Sequence, residues 1–468
     1  MVFLLVKKSA AVAILLFLIS PVLCAHVKRP VLEQSPPPKQ ASPFVLPITK
    51  RDSLLNGLLL IVMERPGTGT ASVRLRINSG AMFDLAGKGG LAEMTAEMVL
   101  KGGGGLSAKN IADTVEQLGM TLVHSVGWDT TEFVISGPTD SLDSMFDLLN
   151  RAVLTPSFDQ KEFDALKTQR IQSAKSRQFD DAEMIKGKAN EATFGAHPFG
   201  RAAGGTADSI GQIARADVSY FHKRFYIANN AEMIVTGDTS IEQITRLARA
   251  RLGAWRKGEV VPPAFQPPDA LTAARLLLVD RPETTTARAA IMQIGPSRRS
   301  EDYFAALIMA DALNQVGSKL ASAAAGASFE IELEPRMLPG PLTIRIKGQP
   351  EEIAGLIQSS RAAMTAMQES QPRIEQVEAA KSRLISIMTE RLKTDEGVAQ
   401  LVLDIETYGL GRDYLVKYAE RINAVTPADA QRAAQTYLRP QTAVTAIAGP
   451  ASKLEEPAKK LGAVTVLR

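Results

Sequence analysis

The chain has 468 residues, with 54 Lys and Arg against 50 Asp and Glu and a formal charge of +4. Such a small imbalance, with no interleaving of aromatic and basic residues, excludes a nucleic-acid surface. Hydrophobic residues at 45% and charged residues at 22% exclude a disordered or membrane-embedded chain. The single cysteine, Cys24, and the widely separated His26, His124, His197 and His222 form no metal-ligand spacing, and no G-x-S-x-G elbow is present.

At the N-terminus, Lys7-Lys8 precedes an apolar run from Ala10 to Leu23 that ends in Val22-Leu23-Cys24-Ala25. This is the form of a secretory signal over residues 1–25, and at about 14 residues the run is short for a membrane span. Export to the periplasm follows as the expectation, with cleavage after Cys24 or Ala25. Lipid attachment at Cys24 is disfavoured by the bulk of Leu23. Residues 26–46, with Pro36-Pro37-Pro38 and Pro43, read as an extended, flexible leader. The mature chain needs no disulfide, because a body this long buries a large enough core.

That body is too long for one typical domain. In chain order, Leu58–Met63 and Val73–Asn78 read as strands, and helices follow at Gly90–Leu100, Ser107–Leu118, Asp140–Val153, Asp159–Arg177 and Ile241–Leu252. In the first of these helices Leu91, Met94, Met98 and Leu100 recur at helical spacing, so Glu93 and Glu97, four apart, share one face. Two carboxylates one turn apart can share a hard cation or form a solvated or Lys/Arg-paired surface, and the second is the commoner outcome. The run Gly102-Gly103-Gly104-Gly105 lacks the spacing of a phosphate cradle and reads as a loop, with Ser107 capping the next helix. His124 sits in an alternating strand, Thr121–Val126, facing solvent or a polar partner. His222 rides a basic helix and His197 precedes Pro198 in a turn.

Residues 257–269 carry four prolines and read as a linker between a domain at 47–256 and another at 270–468. The second half repeats the grammar of the first, with strands at Arg275–Val279, Arg288–Ile294 and Leu342–Ile346 and helices at Glu301–Asn314, Glu351–Glu369, Glu375–Lys393, Glu396–Tyr408 and Pro427–Tyr437. Asp217 and Gly237 of the first half recur as Asp429 and Gly449, both at an offset of 212 (429 − 217 and 449 − 237). An α+β fold of two homologous sheet-plus-helices domains is therefore expected.

The strand Ala71–Ser79, the turn Gly80-Ala81-Met82-Phe83-Asp84 and the frame G-L-A-E-M-T-A-E-M-V-L-K from Gly90 to Lys101 resemble the insulinase/pitrilysin zinc peptidases, in their bacterial processing-peptidase-like branch. The likeness extends from about Pro47 to Leu467. In that family an inverted H-x-x-E-H helix binds zinc, and its glutamate acts as general base. The resemblance in this register implies that Glu93 and Glu97 stand in place of the two histidines and Ala96 in place of the base. Counting back from Asp180-Asp181-Ala182 and His197-Pro198-Phe199-Gly200 puts the family's third, carboxylate ligand at Ser173 or Ala174, and neither can supply it. A second family segment carries an Arg and a Tyr that grip substrate. Its counterpart runs from Ser318-Lys319-Leu320 to Phe329, with Lys319 in the region of the missing Arg and Phe329 in place of the Tyr, and Arg336 lies too far along to be assigned.

These departures imply a family member that lacks zinc, needs no cofactor and is not a catalyst. It is expected to serve as a non-catalytic subunit that walls a peptide chamber, holds extended peptide at a sheet edge and stabilises an active H-x-x-E-H partner. The strand Val73–Asn78 and the Glu93/Glu97 helix face are the first places to look for that surface. Two alternatives are a stand-alone peptide-binding or scaffold protein, and a hydrolase with an unfamiliar metal at Glu93 and Glu97.

Overall fold

Leu59–Glu64 and Ala231–Gly237 are nearly continuous apolar runs that are buried on both faces, the pattern of central strands. Thr121–Val126 instead alternates between exposed and half-buried residues, the pattern of an edge strand. The computed structural model describes residue 44 and residues 48–177, 180–260 and 265–467, all within one compact unit. The signal segment, Cys24, His26 and residues 261–264 of the linker lie outside the described residues.

In the first half come β1 (Lys50–Ser53), β2 (Leu59–Glu64), β3 (Thr70–Ile77), α1 (Leu91–Val99), the short β4 (Gly102–Gly103) and β5 (Leu106–Ser107), and α2 (Ala108–Gln117). Then follow β6 (Thr121–Val126), β7 (Thr131–Pro138), α3 (Leu142–Leu149), α4 (Gln160–Arg177), α5 (Asp181–Phe194), α6 (Ala207–Gly211), α7 (Arg215–Phe225), β8 (Ala231–Gly237) and α8 (Ile241–Leu252). The second half begins with β9 (Arg275–Asp280), β10 (Ala287–Ile294), α9 (Tyr303–Ser322), β11 (Ser328–Leu333), β12 (Pro341–Gly348), α10 (Pro350–Glu369) and α11 (Ile374–Leu392). It ends with α12 (Asp395–Thr407), α13 (Tyr414–Ala424), α14 (Pro427–Tyr437), β13 (Val444–Gly449), α15 (Ala451–Lys459) and β14 (Val464–Leu467).

Two six-stranded sheets result, in the orders β1-β2-β8-β3-β7-β6 and β14-β9-β13-β10-β12-β11. Read in this direction they share one plan: a central parallel pair (β2 with β8, β9 with β13) followed by antiparallel strands. Only the first edge differs, where β1 pairs antiparallel and the late strand β14 pairs parallel. The repeat extends to local chemistry, because Asp217 and Asp429 both accept the backbone N–H three residues earlier, at the starts of α7 and α14.

Helices cover one face of each sheet, and the other face is covered by a helix from the opposite half. Ile185, Ala189 and Phe194, on or near α5, cluster with Ala290, Met292, Val444, Ala446 and Ala448 of the second sheet. Val398, Ala399, Val402 and Leu403 of α12 cluster with Ile61, Met63 and Ile234 of the first. The polar side of α12 meets buried charge. Arg76, 1% exposed, pairs with Glu132 and with Asp404 at 3.0 Å and donates to Thr407, and Arg74 pairs with Glu132 at 2.6 Å and with Glu396. Asp404, Thr407 and Glu396 of α12 thus extend a charge network whose buried members, Arg74, Arg76 and Glu132, belong to the first sheet, and tie the polar side of α12 to it.

Three expectations are corrected. The strand Val73–Asn78, observed as β3, is hydrogen-bonded on both sides, to β8 and β7, and offers no free edge. Phe44, assigned to the flexible leader, is buried in the core of the second half with its ring 6.1 Å from that of Tyr418. The helix expected over Asp140–Val153 is α3 followed by a wider turn at Asn150–Leu154.

Candidate functional site

The N-terminus of α1 is held by chemistry visible in its own turn. The Asp84 carboxylate accepts from the backbone N–H groups of Gly90 and Ala92, both at 2.7 Å, and so satisfies donors that a helix start leaves free. Arg201 clamps that turn by donating to the carbonyl oxygens of Asp84 at 2.9 Å and Met82 at 3.3 Å. Burial pushes the Asp84 carboxyl up to about 7, against the pull of those N–H groups and Arg201. Gly90 has φ +92°, and a Cβ on Gly205 would sit 2.3 Å from the Gly89 carbonyl oxygen. Glycine at these positions lets two loops touch through their backbones.

Along α1, Leu91, Ala92, Met94, Thr95, Ala96, Met98 and Val99 are buried, and only Glu93 and Glu97 keep partial exposure. Ala96, which the resemblance implies stands in place of the general base, is fully buried and has no side-chain donor or acceptor. Two further elements meet the carboxylates. From β6, the His124 Nε2 atom lies 3.5 Å from Glu93 Oε1. From α4, Arg170 Nη1 lies 3.1 Å from Glu97 Oε1 and 3.6 Å from Glu93 Oε1.

Arg170, Ala174 and Arg177 recur at four and three residues on α4 and share one face. Ala174 is buried in the core of the first half, while Ser173 beside it is half-exposed. One turn before Ala174, Arg170 carries the guanidinium that meets both carboxylates. Arg170 and Arg177 both also reach the carbonyl oxygen of Gly204, at 3.5 Å.

Charge is shared unequally. Burial works to raise the Glu93 carboxyl, but His124 and Arg170 outweigh it and hold Glu93 below its usual range. For Glu97 burial wins, aided by the neighbouring Glu93 charge and opposed by Arg170, and the carboxyl is held above its usual range. Beneath them Tyr226 is buried, which pushes its phenol well above the ordinary value and keeps it neutral. Two acids, an imidazole and a guanidinium so placed can neutralise one another.

Glu93, Glu97 and His124 each offer one donor atom within 4.8 Å of the others. As a zinc site this set does not fit, because Arg170 already brings a fixed positive charge to both carboxylates and a divalent cation would have to displace it. The sequence marks the two acids but not His124 and Arg170 as their partners. The signal for His124 was its place in an alternating edge strand, and Arg170 carried none beyond its position in a long helix.

Lys319 is exposed in the last turn of α9. Phe329 is buried beneath α9, where a Cβ on Gly317 would lie 2.1 Å from its ring. Arg336 is a buried strut, its guanidinium 4.5 Å from the Trp128 ring centre and 4.4 Å from that of Phe199, and paired with Glu334 at 2.9 Å. His197 accepts from the Phe199 N–H and meets the Gln266 carbonyl at 3.1 Å, and His222 is buried against the Val153 carbonyl at 2.7 Å.

Comparison with known proteins bears on the family and the fold. Residues 60–207 match a family model described as insulinase, peptidase family M16, and residues 212–384 match one described as the peptidase M16 inactive domain. Among curated relatives, the β subunit of the mitochondrial-processing peptidase of Saccharomyces cerevisiae is 23% identical over 268 residues, covering 56% of this chain and 57% of the relative. The match thus spans little more than half the length of that relative. A crystal structure of a peptidase M16 inactive domain from Pseudomonas fluorescens superposes with a TM-score of 0.78 at 20% identity, over 86% of this chain and 98% of that one. The first half of the periplasmic protease PqqL from Escherichia coli superposes with a TM-score of 0.71 at 14% identity, over 90% and 95%. At such identities the superpositions speak for the fold alone.

Proposed function

The chain belongs to the insulinase family of peptidases, M16, and on that premise we propose that it is a non-catalytic, metal-free subunit of an exported metallopeptidase. It walls part of a peptide-binding chamber and stabilises a separate chain that carries H-x-x-E-H. The observation that carries this reading is the Arg170 guanidinium set against Glu93 and Glu97, with Ala96 where a base would be needed. A resident arginine gives the acid pair a permanent counter-charge, and an alanine cannot take a proton from water.

Binding survives the loss of chemistry. β6 is the outer strand of the first sheet, beside α1, and its outer edge has no pairing strand among the described residues. An extended peptide can add there through backbone hydrogen bonds, with the exposed Val123 and the acid pair alongside. Strand addition thus belongs at β6 rather than at Val73–Asn78. Export rests on the apolar segment at residues 10–23, and no helix among the described residues is long and apolar enough to cross a membrane.

The reading is tested by purifying the tagged chain from its own cell and assaying peptide cleavage. An H-x-x-E-H protein should accompany it, and cleavage by the pair should survive Glu97→Gln in this chain. Chelator-sensitive cleavage by the isolated chain, abolished by Glu97→Gln, contradicts it.

A further inference from the structure

Among the described residues, Lys223 and Arg224 at the end of α7 and Arg256 and Lys257 just beyond α8 take part in no ion pair. Hydrogen bonds bring the two segments together. The Arg256 guanidinium donates to the Lys223 carbonyl, and the Asn229 side chain both accepts from the Gly258 N–H at 2.9 Å and donates to its carbonyl at 2.8 Å. Tyr220 lies one helical turn before Lys223 and Arg224, on the same face, and its ring is exposed.

A third segment joins them. In the turn between β1 and β2, Asn56 donates to the carbonyls of Leu252 at 2.9 Å and Trp255 at 3.1 Å, while Gly57 lies so near Asn229 that a Cβ would come within 2.7 Å of that side chain. The turn is thereby pinned beside Arg256, and its tip is Leu55, which is fully exposed. Val260, three residues past Lys257, is exposed as well, and Glu259 is the one carboxylate of residues 256–260.

We propose that this patch docks the protein on an anionic lipid surface. Four cations outside any ion pair match a layer of acidic headgroups, and Leu55, Tyr220 and Val260 are single exposed apolar or amphipathic side chains on three segments, suited to dip between headgroups. A protein interface of this composition is expected to gather its apolar residues into one core with the charges at the rim, and the patch does the opposite. Neither the acid pair of α1 nor the edge of β6 takes part, so docking leaves the proposed peptide surface free.

The test is flotation of the protein, purified from the exported fraction, with vesicles of phosphatidylcholine alone or mixed with phosphatidylglycerol. Binding is expected to the mixed vesicles only and to fade at high salt. The double variant K223Q/R256Q should bind on the order of 25-fold more weakly, about fivefold for each cation lost. Leu55→Ser, at a site without tertiary contacts to lose, should weaken binding without moving the unfolding midpoint. No binding to the mixed vesicles, or equal binding by K223Q/R256Q, overturns the proposal, and so does capture of an acidic protein by this face with no lipid bound.

Discussion

At the scale of single residues, Arg170 carries the most weight. It is 13% exposed and faces two carboxylates that are themselves about one-fifth exposed, so its charge is only partly screened. Arg170→Ala should cost about 2 kcal/mol in urea unfolding, and the cost should shrink in a Glu97→Gln background, giving a coupling of about 1 kcal/mol or more in the double-mutant cycle. His222 supplies a pH signature. Burial holds its imidazole down at about 4 from an ordinary 6.5, so between those values the unfolded chain binds the extra proton and acid destabilises the fold. Stability from this residue is complete above about pH 6.5 and is lost as pH falls to 4. The wild type should therefore lose about 3 kcal/mol relative to His222→Gln over that range, as read from unfolding curves at both pH values.

At the scale of elements, the strength and period of the hydrophobic pattern decided what could be read beforehand. Long amphipathic helices with polar punctuation were legible nearly to the residue, as with Ile241–Leu252 and Pro427–Tyr437. Of the helix α5 the sequence marks only the turn at Asp180-Asp181, because its apolar residues are sparse and its covering sheet belongs to the other half. The site was half legible for a related reason: acids at i and i+4 announce a shared face, whereas the cation that meets them lies 73 residues beyond Glu97 (170 − 97) and carries no local mark. Contact between the glycine loops is similarly non-local and can be tested. Gly205→Ala places a side chain at φ +74° and 2.3 Å from a carbonyl oxygen, and should cost at least about 2 kcal/mol. Gly211→Ala, in α6 with nothing within 4 Å, should be neutral or stabilising by up to about 1 kcal/mol in the same thermal melts.

At the scale of the whole molecule, duplication accounts for the architecture. Each half leaves one sheet face open and covers it with a helix from the other, α5 and α12, which hold matching places in the repeat. Two sheets were foreseeable from the 212-residue offset. Their mutual cover was not, since a single half shows only an apolar strand face and not what will cover it. The polar side of the α12 contact, with Arg74, Arg76 and Glu132 beneath it, fixes how the halves meet. Rigidity of this kind suits a chain whose proposed task is to hold one wall of a chamber in place.

The most direct test is elemental analysis of the purified protein after equilibration with zinc and removal of the free metal. A guanidinium-filled acid pair predicts no retained zinc, both in the wild type and in Glu97→Gln. One tightly held zinc per chain, lost in Glu97→Gln or His124→Ala, would contradict the account.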